Sequence, residues 1–245
     1  MVDTHAHLDD SRFDDDRAAV MQRAAAAGVR GVVVPAIEES AWPRLRALSA
    51  EHGWRFALGT HPHALVRSRA VPVDLAGASA VGECGLDGGV PVPMEAQEEV
   101  LLGHLAIAHD LGLPVLLHCW RAHHRLPVLL RRFGSVRGVL HSYSGGPDLV
   151  DVYVQLGLHL SFAGAVTRPQ ARKPIEALRR VPLERLLAET DSPDQAPDPV
   201  RGRSEPAMLP LVVAAMERVR GEPLAARLVE NAAALGFSFP VAGSA

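Results

Sequence analysis

Short apolar runs alternate along this chain with longer stretches in which apolar residues recur at helical spacing. The runs are Val2–His7, Gly31–Ala36, Phe56–Thr60, Ala80–Glu83, Pro114–His118, Gly138–His141, Leu158–Phe162 and Leu186–Thr190. Each is bounded by glycine, proline or polar residues. Several are continuous and β-branched, as expected of parallel strands buried on both faces. Helical periodicity fills Asp14–Ala27, Met94–Leu111, Arg125–Phe133 and Pro147–Leu156, the last opening on a proline suited to a first helical turn. A further helical pattern, Pro206–Arg220, follows the proline-rich polar loop Asp191–Arg203. Pro240–Ala245 reads as a frayed tail.

Eight strand candidates, mostly alternating with helices, predict parallel strands joined by helical crossovers. In 245 residues this is the size of a TIM-type (β/α)8 barrel, with room for slight distortion, forming one domain over 1–245. A doubly wound open sheet is the alternative, but no glycine-rich fingerprint follows the first strand. Hydrophobic residues at 48% and charged residues at 22% exclude the disordered and collagen-like classes. No uninterrupted apolar stretch is long enough to predict a membrane span, and MVDTHAHLDD lacks the pattern of a signal peptide. Cys84 and Cys119 are the only cysteines, so a reducing, cytoplasmic location is expected. The net charge of −3 carries no global signature for nucleic acid. A nuclease with this charge needs a local basic rim or bound metal to meet phosphate.

The polar residues fall where a barrel would use them. His5 and His7 close the first run, and their i, i+2 spacing puts both on one face. Glu83 ends the fourth, His118 the fifth, His141 the sixth, and Asp191 follows the last. Such strand ends meet at one mouth, where barrel active sites form. Four imidazoles and two carboxylates make an N/O metal site with more ligands than one ion needs. Two ions sharing a carboxylate, roughly 3.5–4 Å apart, would suit hydrolysis. Cys84 and Cys119 directly follow ligand candidates, so alternation turns them away as small packing residues. His52, His104, His109, His123, His124 and His159 receive no role. Asp3 and Asp87 are candidates for orienting the ligands.

Six motifs in order carry a resemblance. They are Asp3-Thr-His-Ala-His-Leu-Asp9, Gly59-Thr-His-Pro-His63, Gly82-Glu-Cys-Gly-Leu-Asp87, His118-Cys119, His141-Ser-Tyr-Ser-Gly145 and Glu189-Thr-Asp-Ser-Pro193. Across almost the whole chain the sequence resembles the TatD family of metal-dependent deoxyribonucleases, within the amidohydrolase-like barrel superfamily. The resemblance implies one ion on His5, His7 and Asp191, a second on His118 and His141, and Glu83 bridging them. Two divalent cations are implied, with zinc, manganese or magnesium as candidates. The implied activity is a 3′–5′ exonuclease acting on single-stranded DNA, with no obligate protein partner. Glu83 and Asp191 would be its catalytic carboxylates, Asp191 taking the proton of a metal-activated water.

His61 or His63 could hydrogen-bond the phosphate, His61 being preferred from its place in the motif. Arg121, Arg201 and Arg203 are candidate phosphate contacts, since a guanidinium fork suits phosphate. Trp120 could stack on a base or pack beneath a loop. Gly88-Gly89, Trp120 and the run Arg201–Ser204 depart from the family's usual residues at the mouth. A hydrolase of small amides, lactones or phosphoesters is the alternative reading. Relatives of that kind often use a carboxylated lysine, where the fourth strand here offers Glu83. A metal-binding protein without turnover is the third reading, disfavoured by the complete ligand set.

Overall fold

Eight parallel strands follow one another in chain order around a barrel, in a computed structural model describing residues 1–240. They are β1 (Val2–Asp3), β2 (Gly31–Pro35), β3 (Arg55–Leu58), β4 (Ala80–Asp87), β5 (Val115–Trp120), β6 (Gly138–Leu140), β7 (Leu158–Phe162) and β8 (Leu186–Ala188). The helices are α1 (Arg17–Ala26), α2 (Trp42–His52), α3 (Met94–Leu111), α4 (Leu126–Leu130), α5 (Val150–Gln155), α6 (Arg172–Arg180), α7 (Leu209–Arg220) and α8 (Ala225–Ala234). The expected TIM-type barrel is present. From residue 241 onward the expected frayed tail lies outside the described residues. Among the described residues, no helix is long and apolar enough to cross a membrane.

Two apolar layers hold the barrel. Val2, Val33, Ala57, Ala80, Leu116, Val139 and Leu187 pack inside it, joined by Leu235 and Phe237 after α8. The alternate residues face outward: Val32, Val34, Leu117 and Leu160 join Leu101, Leu105, Val212 and Met216 of the helices. This is a period of two read on both faces. The seam between β8 and β1 closes just beyond the strand ends. The Thr4 amide donates to Ala188 O (3.3 Å), Asp191 to His5 O (2.9 Å) and His7 to Ser192 O (2.7 Å). The buried Asp3 carboxylate fastens it, accepting the Thr190 amide at 3.0 Å and hydroxyl at 2.6 Å.

Strand ends differ from expectation. β1 stops at Asp3, leaving His5 and His7 on the following loop, whereas β4 and β5 run on past Glu83 and His118. There the pairs Gly85–His118, Leu86–Cys119 and Asp87–Trp120 extend the ladder. Three helices lacked a clear apolar period: α2 contains Pro43, α6 is dominated by charge, and α8 is half alanine.

His104 on α3, expected to have no role, is wholly buried beneath the third strand's loop. Its Nδ1 donates to Val100 O (2.8 Å), leaving Nε2 to accept the Thr60 amide (3.1 Å). Burial pushes its pKa down from 6.5 to about 4. The unfolded chain therefore binds a proton that the native state refuses. Stability should be full above the unfolded value and fall toward pH 4 by up to about 3 kcal/mol. Urea unfolding at about pH 7.5 and about pH 4.5 measures the loss, and His104→Gln should flatten it; an unchanged slope would clear His104 of the effect.

Candidate metal centre

The strands that build the apolar floor also deliver the polar layer above it. On β5, His118 follows Leu116 by two residues; beyond β6, His141 follows Val139; beyond β8, Glu189 follows Leu187. Glu83 arrives through a shift in β4–β5 register between Val81 and Cys84. Gly82 (φ +142°) and Gly85 (φ +154°) flank it, and a Cβ on them would meet Leu116 O at 2.5 Å and His118 O at 2.0 Å. Only glycine lets β5 approach so closely.

One carboxylate then meets five imidazoles. Glu83 Oε2 lies 3.2 Å from His5 Nε2 and 3.5 Å from His7 Nε2. Its Oε1 lies 2.9 Å from His141 Nε2, 3.3 Å from His118 Nδ1 and 3.5 Å from His61 Nε2. Asp191 completes the ring, with Oδ1 3.5 Å from His7 Nε2 and 3.7 Å from His5 Nε2. All six residues expected to bind metal therefore converge.

The outer hydrogen bonds decide which ring nitrogens face inward with lone pairs. His7 Nδ1 donates to Pro35 O (3.3 Å), His118 Nε2 to Asp87 Oδ2 (3.3 Å) and His141 Nδ1 to Glu189 Oε1 (3.2 Å). In the neutral rings, His7 Nε2, His118 Nδ1 and His141 Nε2 are then acceptors. Yet His118 Nδ1 and His141 Nε2 face each other at 3.1 Å, while His5 Nε2, whose ring has no partner on Nδ1, lies 3.3 Å from His7 Nε2. Facing lone pairs repel unless a cation lies between them, so the donor set fits divalent cations. His61 is wired the opposite way. Its Nδ1 accepts the His63 amide (3.2 Å), so Nε2 carries the hydrogen and points inward as a donor.

Charge favours the same filling. Burial opposes ionisation of Glu83, but His141, His5 and His61 outweigh it and hold the carboxyl well below its usual range. Burial likewise opposes the charge on Asp191, and the hydrogen bond from His7 with the fields of His141 and His5 overcomes it. Against their own burial, His7 is pushed up to about 9 by Asp191 and Glu83, and His141 is raised well above 6.5 by Glu83 and Glu189. His5 and His61 are lowered, chiefly by burial. A field that draws protons onto imidazoles draws cations as well, and a bound cation displaces those protons.

A model of the TatD related DNase family matches residues 2–235. This chain belongs to the TatD family. The TatD-family match is reinforced by the metal-dependent hydrolase YjjV of Escherichia coli K12, 35% identical with 98% of each chain covered. The YjjV crystal structure superposes with a TM-score of 0.91, again over 98% of both chains. A Musicola paradisiaca protein named 3′-5′ ssDNA/RNA exonuclease TatD is 37% identical, covering 87% of this chain and 88% of its own. The protein is a TatD-family hydrolase acting on ester bonds, and relatives with metal-dependent names join the His/Glu clusters in supporting divalent cations.

Not every expected contact of this TatD-family site is where it was placed. Arg203 is a correction: its guanidinium is occupied by Asp16 (2.7 Å), Glu205 (2.9 Å) and Arg12 O (2.6 Å) and lies over the Phe13 ring. It braces α1 against the loop after β8. Arg201 is exposed and pairs with Asp198 (3.0 Å). Arg121 is exposed, with its guanidinium 5.7 Å from the Trp120 ring centroid. His61 is buried in the cluster, whereas His63 is exposed at the rim. Both thiols are buried, and burial raises their pKa, so neither is poised as a nucleophile.

Two functional side chains had no role from sequence. Glu189 orients His141 and also accepts the Ser142 amide at 2.7 Å. Its position two residues before Asp191, on the inward phase of β8, was the available signal. Gln195 donates to Asp191 Oδ2 (2.5 Å) and Ser142 Oγ (2.6 Å), a placement set by loop conformation alone. Removing an outer partner should loosen the centre. Asp87→Ala should weaken divalent-cation affinity about 10- to 100-fold, measured by calorimetric titration; unchanged affinity would exclude Asp87 from orienting His118.

Proposed function

We propose that this protein is a 3′–5′ exonuclease on single-stranded DNA, using two divalent cations. His5, His7 and Asp191 would hold one cation, His118 and His141 the other, with Glu83 shared between them. What carries this reading is the inward wiring of lone pairs around one buried carboxylate, in a chain whose relatives bear nuclease names. Bound cations would acidify a coordinated water and offset the charge of a phosphodiester. Asp191, kept ionised and aimed by Gln195, would receive the proton. His61 offers its Nε2–H toward the same space and would hydrogen-bond a phosphate oxygen. Mixed imidazole and carboxylate ligands favour zinc or manganese over magnesium, which prefers oxygen. We read residues 1–245 as one hydrolase domain of the reducing cytoplasm, in keeping with two free buried thiols.

The test is degradation of end-labelled single-stranded DNA by metal-loaded protein. Asp191→Asn should lower the rate about 100- to 10,000-fold, in the range of a lost general base, and Glu83→Gln should also lose bound metal. Chelation should abolish activity, and excess zinc or manganese should restore it. Wild-type inactivity with zinc, manganese and magnesium alike would overturn the nuclease reading; undiminished Asp191→Asn activity would remove Asp191 from the chemistry.

A further inference from the structure

The centre opens in two directions, and the two openings carry opposite charge. On one side a cavity of about 590 Å3 reaches from His118, His141 and Asp191 out to Trp120, Arg168, Arg172 and Lys173. Arg172 and Lys173 are exposed at the start of α6, and Arg168 donates to Ala196 O at 3.1 Å. Among the described residues none of these three cations is in an ion pair, while Arg180, at the far end of α6, is bonded to Asp151. Asp191 is the only acid lining this cavity. Trp120 is 44% exposed on its wall.

On the other side a cavity of about 410 Å3 is lined by Asp9, Asp10, Glu38 and Asp194, besides Glu83 and Asp191. Its two arginines are already neutralised. Arg12 bonds Asp10 (2.9 Å) and Asp194 (3.0 Å), and Arg67 bonds Glu38 (2.6 Å). Phosphates gain more from the first cavity, with its three unpaired cations, than from the second, where four rim acids outnumber two arginines.

A polynucleotide has a matching asymmetry about its last linkage. On the 5′ side of the scissile phosphate lies a run of further phosphates. On the 3′ side lies one nucleoside, ending in an uncharged hydroxyl. Resting on the nuclease reading above, we propose that the body of the strand lies in the basic cavity. Trp120 stacks on a base there, Arg168, Arg172 and Lys173 meet the backbone phosphates, and the 3′-hydroxyl nucleoside enters the acidic one. The charge contrast thereby orients the strand and selects an unphosphorylated 3′ end. A basic footprint absent from the net charge is present locally, on residues whose sequence context gave no motif.

The experiment measures binding separately from cleavage. A 5′-fluorescein oligothymidylate with phosphorothioate linkages at its 3′ end is titrated into metal-loaded protein by anisotropy at graded salt. Arg172→Ala combined with Lys173→Ala should reduce the slope of log affinity against log salt by about 1.4. Trp120→Ala should weaken binding roughly 5- to 150-fold. Arg179→Ala, the loss of one charge near the far end of α6, serves as the control and should not change the slope. A 3′-phosphorylated oligomer should bind more weakly than its 3′-hydroxyl counterpart. Equal slopes for the double variant and wild type would overturn the basic path. Equal or tighter binding of the 3′-phosphate would overturn the placement of the terminus. Degradation of the same oligomer with ordinary phosphodiester linkages, followed in parallel, reports on the nuclease reading itself, so that its failure is seen apart from failure of the strand path.

Discussion

The structure depends on one buried negative charge. Glu83 has a side chain only 2% exposed, and an uncompensated carboxylate in such a place would cost several kcal/mol. Five imidazoles, drawn from loops and strands across the chain, meet its two oxygens. Each can offset the charge only if it reaches the same small volume, so the barrel must bring distant segments to that volume. The close glycine contacts of β4 with β5 and the fastening of the seam by Asp3 both serve this convergence.

Around that charge the hydrogen bonds sort otherwise identical side chains into different tasks. His7, His118 and His141 give their outer N–H to Pro35, Asp87 and Glu189, which leaves lone pairs facing inward. His61 accepts a backbone amide on its outer nitrogen and so presents an N–H. Four neighbouring histidines thus divide into three acceptors and one donor by what lies behind them. The polar residues with left-handed backbone conformations, Arg121, Ser142, Asp191 and Gln195, all sit on loops at this mouth. Asp191 adopts φ +53° while its amide helps close the seam, tying its direction to barrel closure.

The barrel was legible because buried parallel strands write themselves as apolar runs, and the inward phase that packs Leu116 and Val139 also predicts His118 and His141. The convergence of His5, His7, Glu83, His118, His141 and Asp191 followed from that phase and from motif order. The missing parts depend on tertiary geometry. Nothing local marks Gln195 as the partner of Asp191, because a loop of irregular conformation supplies it. Arg203 looked free for phosphate because its partner Asp16 lies 187 positions away. Arg168, Arg172 and Lys173 looked like ordinary surface charge until the fold set them beside the centre. The donor role of His61 rests on a single cap hydrogen bond from His63, and sequence offered only its place before a proline.

The seam between β8 and β1 has a consequence for how the protein comes into being. His5 and His7 precede Asp191 by more than 180 positions, and the Asp3–Thr190 clasp needs the last strand to arrive. Nascent chains therefore carry His5 and His7 long before Asp191 exists. A cation captured early would sit in an incomplete set, without the carboxylate that makes the site selective. On the proposed ligand assignment, full cation affinity would appear only when the two ends of the barrel join. A truncated barrel would lack that ligand and, with it, an active centre.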